Sequence, residues 1–343
     1  MRILLVTDAW YPQVNGVVRT LDTVAAILRQ QAHAVHLLTP QGFATLPCPT
    51  YPEIRLSLFP GRRVARVLDE YATGAIHIAT EGPLGIAARR ICLRRGLPFT
   101  TSFHTRFPEY VNARIHIPVG WLYAWLRRFH NSGAAVMVAT PTLHRELAER
   151  GFENIRSWNR GVDTHLFRPR DKSFLDHLPR PIWLNVGRVA VEKNIEAFLA
   201  LPLDGTKLVV GDGPQLAELK NKYPYVRFAG AKRGEELARF YSASDVFVFP
   251  SRTDTFGLVI LEALASGLPV AALPVAGPVD VIGGSRTGIL DEDLAKACRA
   301  ALEIPPERCV AYAQQFSWEA CARQFLENLY PASQNDLALA TGD

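Results

Sequence analysis

Short apolar runs and amphipathic segments alternate along the whole chain. In the first half, the runs at residues 2–8, 34–40, 75–80, 98–104 and 136–140 predict strands. Residues 16–31 and 141–151 place apolar side chains at helical spacing, and Gly151 predicts the end of the second of these helices. The second half repeats the order, with strands predicted at 182–187, 207–213, 226–230, 245–251 and 268–273. Strand, short loop and helix in series predict doubly wound parallel sheets.

The length of 343 residues suits two domains better than one. Residues 164–180 are polar, irregular and contain proline, which predicts the boundary there. We expect an N-terminal Rossmann-like domain at 1–165 and a C-terminal one at 175–315. The amphipathic segment at about 316–330 is expected to form a helix that packs back onto the N-terminal domain, and the last dozen residues to be disordered. In such sheets, ligands bind outside the carboxyl ends of the strands.

Composition excludes several classes of protein. No window approaches 18 uncharged apolar residues, so no membrane-spanning helix is expected. The N-terminus runs directly into a strand pattern and lacks the apolar core of a signal peptide. The five cysteines are scattered and form no CxxC pair. This pattern predicts reduced thiols in a cytoplasmic protein and argues against a zinc site.

Charge differs between the two halves of the chain. Residues 1–163 hold 19 Arg, no Lys and 11 acidic residues, a net charge of +8, whereas residues 164–343 sum to −3. A basic half indicates an anionic partner: nucleic acid, lipid headgroups or an anionic substrate. No nucleic-acid-binding motif is present.

Two stretches of the basic half, 87–96 and 120–130, mix Arg with apolar residues. The second carries Trp121 and Trp125 next to Arg127 and Arg128, and the first holds Arg89, Arg90, Arg94 and Arg95. Such segments suit the headgroup layer of an anionic membrane. Equally, the aromatic residues could pack in the core while the arginines are solvated, and the residues leave both interpretations open.

A carboxylate stands in an apolar segment at 251–270. Glu262 follows Asp254 by eight positions, in a helix expected to begin near Gly257 and to stop at Gly267. Backbone N–H groups of Phe256, Gly257 and Leu258 at the helix start could receive phosphate or sugar oxygens. An alternative is that Glu262 bonds to backbone groups in the core and Asp254 caps the helix.

Three further motifs lie at predicted strand ends. Gly187 is followed by Arg188 and Lys193, a guanidinium and an ammonium that together could neutralise a diphosphate. Asn15 and Gly16 form a tight turn before a helix. Gly213, in GDGP, is an equally weak signal, and in isolation either glycine turn is more typical of an ordinary loop. The alternative for Arg188 and Lys193 is two solvated surface cations, which their position at the predicted ligand edge, opposite the carboxylates, makes less favourable.

In combination, these motifs resemble those of the family-4 retaining glycosyltransferases of GT-B fold. TDTFGLVILE resembles the E-x7-E signature of that family, GRVAVEKN its donor-diphosphate motif, and PQVNGVVRT its N-terminal glycine loop. NRGVDTHLFRP is similar to the segment that crosses between domains. The resemblance extends from residue 1 to about 330. TEGPLG, TTSFHTRFPEY and LRRFH are most similar to the lipid-directed branch, the sulfoquinovosyl-, mannosyl- and glucosyl-diacylglycerol synthases.

The resemblance implies two Rossmann-like domains that face each other across a cleft. It implies a hexosyltransferase that moves sugar from a GDP- or UDP-sugar to a lipid hydroxyl, at the inner face of the membrane. The resemblance implies that Glu262 binds the ribose, and that Asp254 and His104 contact the donor sugar. Arg188 and Lys193 would neutralise the diphosphate. The other residues implied to contact the donor are Asn15, Gly16, Gly187, Gly213, Phe256, Gly257 and Leu258. The family usually has Glu at the position of Asp254, which bears on donor preference.

No metal or other cofactor is expected. The only Asp-x-Asp sequence, at 291–293, lies where it predicts the acidic start of a helix. Two other functions stay open: transfer to a soluble oligosaccharide or polysaccharide, and nucleotide-sugar binding without catalysis. An NAD-dependent oxidoreductase is disfavoured because the first strand is not followed by G-x-G-x-x-G.

Overall fold

The computed structural model describes residues 1–13, 15–48, 51–70, 74–104, 108, 118–252, 254 and 256–331. These residues form two units. The first contains Met1–Asn159 together with the segment that begins at Trp318, and the second is Arg160–Ser317. The terminal segment expected to be disordered, 332–343, lies outside the described residues.

The first unit contains a six-stranded parallel sheet and a two-stranded antiparallel hairpin. Its strands are β1 (Arg2–Val6), β2 (Ala34–Leu38), β3 (Thr45–Cys48), β4 (Tyr51–Ser57), β5 (Ala75–Ile78), β6 (Thr100–Phe103), β7 (Ala135–Val138) and β8 (Ile155–Ser157). The order in the sheet is β2-β1-β5-β6-β7-β8, and β3 pairs with β4. Its helices are α1 (Gly16–Gln30), α2 (Gly61–Glu70), α3 (Pro83–Arg95), α4 (Val119–His130) and α5 (Pro141–Glu149).

The second unit contains another six-stranded parallel sheet. Its strands are β9 (Ile182–Val186), β10 (Thr206–Val210), β11 (Arg227–Gly230), β12 (Val246–Phe249), β13 (Val270–Ala272) and β14 (Gly288–Leu290), in the order β11-β10-β9-β12-β13-β14. Its helices are α6 (Ile195–Leu199), α7 (Leu216–Lys222), α8 (Gly234–Ala243), α9 (Leu258–Ala265), α10 (Ala276–Ile282), α11 (Leu294–Ala301) and α12 (Pro306–Ala313). This strand order is that of a dinucleotide-binding Rossmann sheet.

The final helix, α13 (Trp318–Glu327), belongs to the first unit and packs against α1. The indole nitrogen Nε1 of Trp158 donates to the carbonyl oxygen of Cys321 at 3.1 Å, and the Phe325 ring lies against Trp158 and His77. Phe325 and Trp158 are both fully buried. Helix α13 therefore completes the core of the first unit.

The cores explain why these sequences form these elements. In the first unit, Leu4, Ile76 and Ile78 on one face of the sheet pack against Leu84 and Ile91 on α3. Ile3 and Leu5, which point to the opposite face of β1, are buried as well, so both faces of the sheet are covered, as the near-continuous apolar strands of a parallel sheet require. The predicted α/β class with two parallel sheets is confirmed.

Most predicted elements are present within one to three residues of their expected ends. The predicted helix that begins near Gly257 and stops at Gly267 is α9, for which Gly257 is the N-cap residue. The hairpin β3–β4, helix α2 and the edge strands β8 and β14 were not predicted. Within the described part of the chain, no helix is long and apolar enough to cross a membrane.

Candidate active site

In the sheet of the second unit, the strand order reverses between β9 and β12. β10 and β11 lie on one side of β9, whereas β12, β13 and β14 lie on the other. Loops that leave the carboxyl ends of β9 and β12 diverge at this point, and the crevice between them is where open α/β sheets bind their ligands. The loop after β9 carries Arg188 and Lys193, and the loop after β12 carries Asp254.

Lys193 and Asp254 form an ion pair across this crevice. Lys193 ends a short 3₁₀ turn, Val191–Lys193, and its Nζ lies 2.5 Å from Asp254 Oδ1. The other oxygen of Asp254, Oδ2, is buried and has no hydrogen-bond donor among the described residues. A buried carboxylate oxygen without a donor is costly, so Asp254 has capacity for one more polar partner.

Asn194 fixes the two loops relative to each other. It adopts a left-handed conformation with φ +51°, which asparagine tolerates better than most residues. Its Nδ2 donates to the carbonyl oxygen of Pro250 at 3.0 Å, at the end of β12. The Lys193–Asp254 pair is therefore held by a second contact between the same two loops.

Glycines allow the loops after β9 and β10 to touch. A Cβ on Gly211 would lie 1.8 Å from the carbonyl oxygen of Gly187, and one on Gly213 would lie 2.3 Å from that of Val189. The backbone N–H of Val189 donates to the carbonyl oxygen of Asp212 at 2.9 Å. Gly213 thus has a packing role that explains the GDG sequence, and its predicted contact with a donor stays a prediction.

The start of α9 offers backbone donors beside Asp254. Gly257 has φ +84°, a conformation that strains any residue with a Cβ. No described residue accepts a hydrogen bond from the N–H groups of Phe256, Gly257 or Leu258. Asp254 does not cap this helix, because Gly257 is its N-cap residue and the carboxylate bonds to Lys193.

Glu262 is held inside the second unit by a tyrosine. It is 2% exposed, and the hydroxyl of Tyr241 on α8 donates to its Oε2 at 2.9 Å. Tyr241 is itself fully buried, with its ring against Phe167 and Phe247. Tyr241 was not predicted from the sequence, where it is one of two adjacent aromatic residues in an amphipathic helix.

In the first unit, the strand order reverses between β1 and β5. A buried carboxylate, that of Asp8, lies in the loop after β1. Asp8 accepts hydrogen bonds from the backbone N–H groups of Leu84 and Gly85 and from the hydroxyl of Thr80. Burial raises the pKa of Asp8 to about 6, more than these bonds lower it. Asp8 was not predicted from the sequence, although an acid directly after the first buried strand was a signal for it.

The remaining predicted residues of the first unit lie at the carboxyl edge of its sheet. His104 follows β6 and is half-buried, with its ring 5.6 Å from that of Trp158. Asn15 caps α1, since its Oδ1 accepts from the N–H groups of Val17 and Val18 at 3.0 Å. The side-chain oxygen of Asn15 therefore has a structural role, and donor binding by Asn15 and Gly16 stays a prediction.

The acidic sequence at 291–293 forms the start of a helix, as predicted. Asp293 caps α11 by accepting from the N–H of Lys296 at 3.1 Å, and Asp291 bonds to the Lys296 ammonium at 2.5 Å. The lysine pair and the cap account for both carboxylates.

The chain matches two protein-family models in succession. Residues 14–166 match the model described as glycosyltransferase family 4, and residues 180–304 match that described as glycosyl transferases group 1. The second match contains Arg188, Lys193, Asp254 and Glu262, and the first contains His104.

Known proteins similar to the chain cover most of its length. A GDP-mannose-dependent alpha-mannosyltransferase of Mycobacterium tuberculosis is 30% identical over 84% of this chain and 83% of its own. An alpha-monoglucosyldiacylglycerol synthase of Streptococcus pneumoniae is 28% identical over 90% of this chain and 79% of its own. The crystal structure of an Anabaena protein with UDP and glucose superposes with a TM-score of 0.72 at 18% identity, covering 95% of this chain and 98% of that one. This likeness confirms the fold class predicted from the sequence.

Proposed function

The chain belongs to the family-4 glycosyltransferases, and we propose that it moves a hexose, with retention of configuration, to a hydroxyl of a membrane lipid such as diacylglycerol. As a member of this family it is a hexosyltransferase that takes its sugar from a nucleotide donor. We propose GDP-mannose as the donor, ahead of a UDP-hexose, because a relative that matches most of the chain is named for GDP-mannose. The lipid acceptor is supported by the relative named alpha-monoglucosyldiacylglycerol synthase.

The Lys193–Asp254 pair is the observation that carries the donor site. The pair lies at the strand-order reversal of the second unit, where a nucleotide is bound in this type of sheet. A donor diphosphate would compete with Asp254 for the Lys193 ammonium. Asp254 would then offer its oxygens to hydroxyls of the donor sugar, including Oδ2, which has no described donor.

Leaving-group stabilisation is the main catalytic contribution in this proposal. Arg188 and Lys193 neutralise the departing diphosphate, and the N–H groups of Phe256, Gly257 and Leu258 add hydrogen bonds to it. The acceptor hydroxyl attacks the anomeric carbon from the face that the diphosphate leaves, and a diphosphate oxygen takes its proton. His104 contacts the transferred sugar, and Glu262 binds the ribose hydroxyls.

Donor identity is tested by thermal shift. A panel of GDP, UDP, GDP-mannose and UDP-glucose should raise the melting temperature most with the guanine nucleotides, because binding to the native state stabilises it. Stabilisation by UDP compounds alone would replace GDP-mannose by a UDP-hexose. No shift with any of them would remove the donor assignment.

Catalysis and acceptor are tested by turnover. The expected result is transfer of radiolabelled mannose to diacylglycerol, with undiminished activity in EDTA because the cationic side chains replace a metal. Transfer only to soluble oligosaccharides would move the protein to that acceptor class. Binding without turnover on any acceptor would identify a nucleotide-sugar-binding protein.

A further inference from the structure

Helices α3 and α4 lie side by side on one face of the first sheet. Arg89 of α3 joins them, with Nε donating to the carbonyl oxygen of Phe129 at 3.1 Å and Nη2 to that of Arg128 at 3.0 Å. Nε also lies 2.7 Å from the hydroxyl of Ser132, and the guanidinium stacks over the Phe129 ring. The two helices therefore present one continuous outer surface.

This outer surface exposes large apolar side chains of both helices. On α4, Trp121 is 77% exposed and Trp125 42%, and on α3, Ile86 is 46% exposed and Leu93 47%. Arg90, Arg94 and Arg128 are exposed beside them. We name this set the α3–α4 face; its members are Ile86, Arg90, Leu93, Arg94, Trp121, Trp125 and Arg128. Buried residues of the same helices, such as Ile91 and Leu126, point to the core, so the face is not the packing side.

Only some of the arginines in these helices are available to a partner. Arg89 is bound within the unit as described, Arg95 pairs with Asp69 at 2.8 Å, and Arg127 donates to the carbonyl oxygen of Arg150 at 3.1 Å. Arg90, Arg94 and Arg128 have no such partner among the described residues. The basic clusters expected from the sequence to contact a membrane are thus reduced by half.

The charge on the face identifies its partner. Helices α3 and α4 contain six Arg and no Asp or Glu. A second copy of the chain docked on this face about a two-fold axis would bring arginines against arginines, which is unfavourable. An anionic lipid surface suits both the apolar and the basic side chains of the face. Indole rings and aliphatic side chains enter the interfacial layer, while guanidinium groups contact phosphates.

We infer that the α3–α4 face docks the first unit on an anionic membrane, an inference that rests on the proposed transfer to a membrane lipid. The direction of the helices gives the orientation. Both follow strands of a parallel sheet, so their N-termini lie at its carboxyl edge, where His104 lies. Trp121 and Ile86 are in the first turns of α4 and α3. The apolar residues therefore enter the membrane next to the edge at which a lipid hydroxyl must be presented.

Vesicle flotation tests this inference. Wild-type protein should float with vesicles of phosphatidylglycerol and phosphatidylcholine and less with phosphatidylcholine alone, and rising salt should weaken binding to the anionic vesicles only. Trp121→Ala/Trp125→Ala should lose most binding to both kinds of vesicle. Arg90→Gln/Arg94→Gln/Arg128→Gln should weaken binding to the anionic vesicles only, by about fivefold for each arginine.

A charge-matched control uses exposed cations of the second unit. Lys220→Gln/Arg227→Gln/Arg233→Gln removes the same charge and should leave flotation unchanged. Equal loss in this variant, or equal flotation of the wild type with neutral and anionic vesicles, would overturn the inference. A wild-type dimer by light scattering that Trp121→Ala/Trp125→Ala converts to a monomer, without a change in flotation, would show that a second copy covers the face.

Failure of the inference is distinguishable from failure of the proposed function. Transfer to a short-chain diacylglycerol in detergent micelles measures the chemistry without a bilayer, and all three variants should retain it. Wild-type activity in micelles without flotation would overturn the docking face alone. Flotation without transfer to any lipid would support the face and overturn the lipid acceptor.

Discussion

At the scale of single residues, the candidate site depends on partners that the sequence does not reveal. Asp254, Glu262, Arg188 and Lys193 were found from motif and strand-end position. Tyr241 was not, because a tyrosine in an amphipathic helix carries no sign of what its hydroxyl will meet. The Tyr241–Glu262 bond joins two residues that are 21 positions apart in the sequence and lie on different helices, and only the packed fold brings them together.

Removal of Glu262 should affect both stability and donor binding. Glu262→Ala removes the hydrogen bond that the buried Tyr241 hydroxyl donates to Oε2, which should lower the free energy of unfolding by about 1–3 kcal/mol. Donor affinity and transfer should also be lost. Tyr241→Phe is the matched control, since it should cost a similar stability yet retain donor binding; denaturant melts and nucleotide titrations measure the two. If both variants bind donor normally, Glu262 is only a core residue.

Asp8 should make the first unit less stable as pH rises. Its folded pKa of about 6 lies above the ordinary value of 3.8, so the native state binds more protons than the unfolded state between these values. The stability that Asp8 contributes is present below about pH 4 and is lost as pH rises through 6. The loss is on the order of 3 kcal/mol, the cost of about two pKa units for a buried carboxyl.

Comparison with Asp8→Asn isolates this effect. The variant cannot ionise, so its unfolding free energy should rise relative to that of the wild type between pH 4 and 7. Urea denaturation of both proteins across this range measures the difference. A difference in unfolding free energy that stays constant with pH would mean that ionisation of Asp8 does not destabilise the native state.

At the scale of elements, hydrophobic periodicity was sufficient for the buried strands and long helices. It was insufficient for β3 and β4, because these lie outside the parallel sheet and carry short, mixed patterns such as TLPC. Helix α2 was not predicted, although Val64, Val67 and Leu68 stand at helical spacing and are buried. The edge strands β8 and β14 have three residues each, too few to show a period. Loop contacts such as that of Gly211 with Gly187 depend on strands that neighbour each other only in the folded sheet.

Substitution of Gly211 should displace the loop that carries Arg188 and Lys193. A Cβ there meets the Gly187 carbonyl, and relief of such overpacking costs about 1–3 kcal/mol. Gly211→Ala should therefore lower both stability and donor affinity. Gly284→Ala is the control, because Gly284 has φ +78° but no atom within 4 Å of its Cβ position, so it adds backbone strain without a clash. Isothermal titration with nucleotide should detect a loss in Gly211→Ala alone; an equal loss in both would assign the effect to backbone strain.

At the scale of the whole molecule, the first unit is discontinuous in sequence. The packing of the final helix on α1 brings together residues about 300 positions apart, as Trp158 and Cys321 do over 163. An amphipathic pattern predicts that a segment is helical but does not by itself identify the surface that will bury it. The segment was expected to return to the N-terminal domain, yet its periodicity does not identify α1 and Trp158 as the groups that cover it.

Phe325→Ala should destabilise the first unit selectively. It removes a fully buried ring that contacts His77 and Trp158, a change that costs about 3–5 kcal/mol in a protein core. Calorimetry should show a lowered transition that added nucleotide does not restore, while nucleotide still stabilises the second unit. Tyr330→Ala, which removes a half-exposed ring from the same segment, should leave the melt unchanged. A single lowered transition that nucleotide fully rescues would show that the units unfold together.

Because of the position of α13, the two units are completed in different ways during translation. The second unit is continuous from Arg160 to Ser317, so all its strands emerge before synthesis ends. The first unit is translated earlier but lacks its last helix until Trp318–Glu327 emerges. Until then, the nascent chain presents the sides of Trp158 and α1 that α13 later covers. Exposed apolar surface of this kind recruits chaperones and promotes aggregation. A translation stop anywhere between the two units and the last helix would therefore release an incomplete first unit, however well the second had folded.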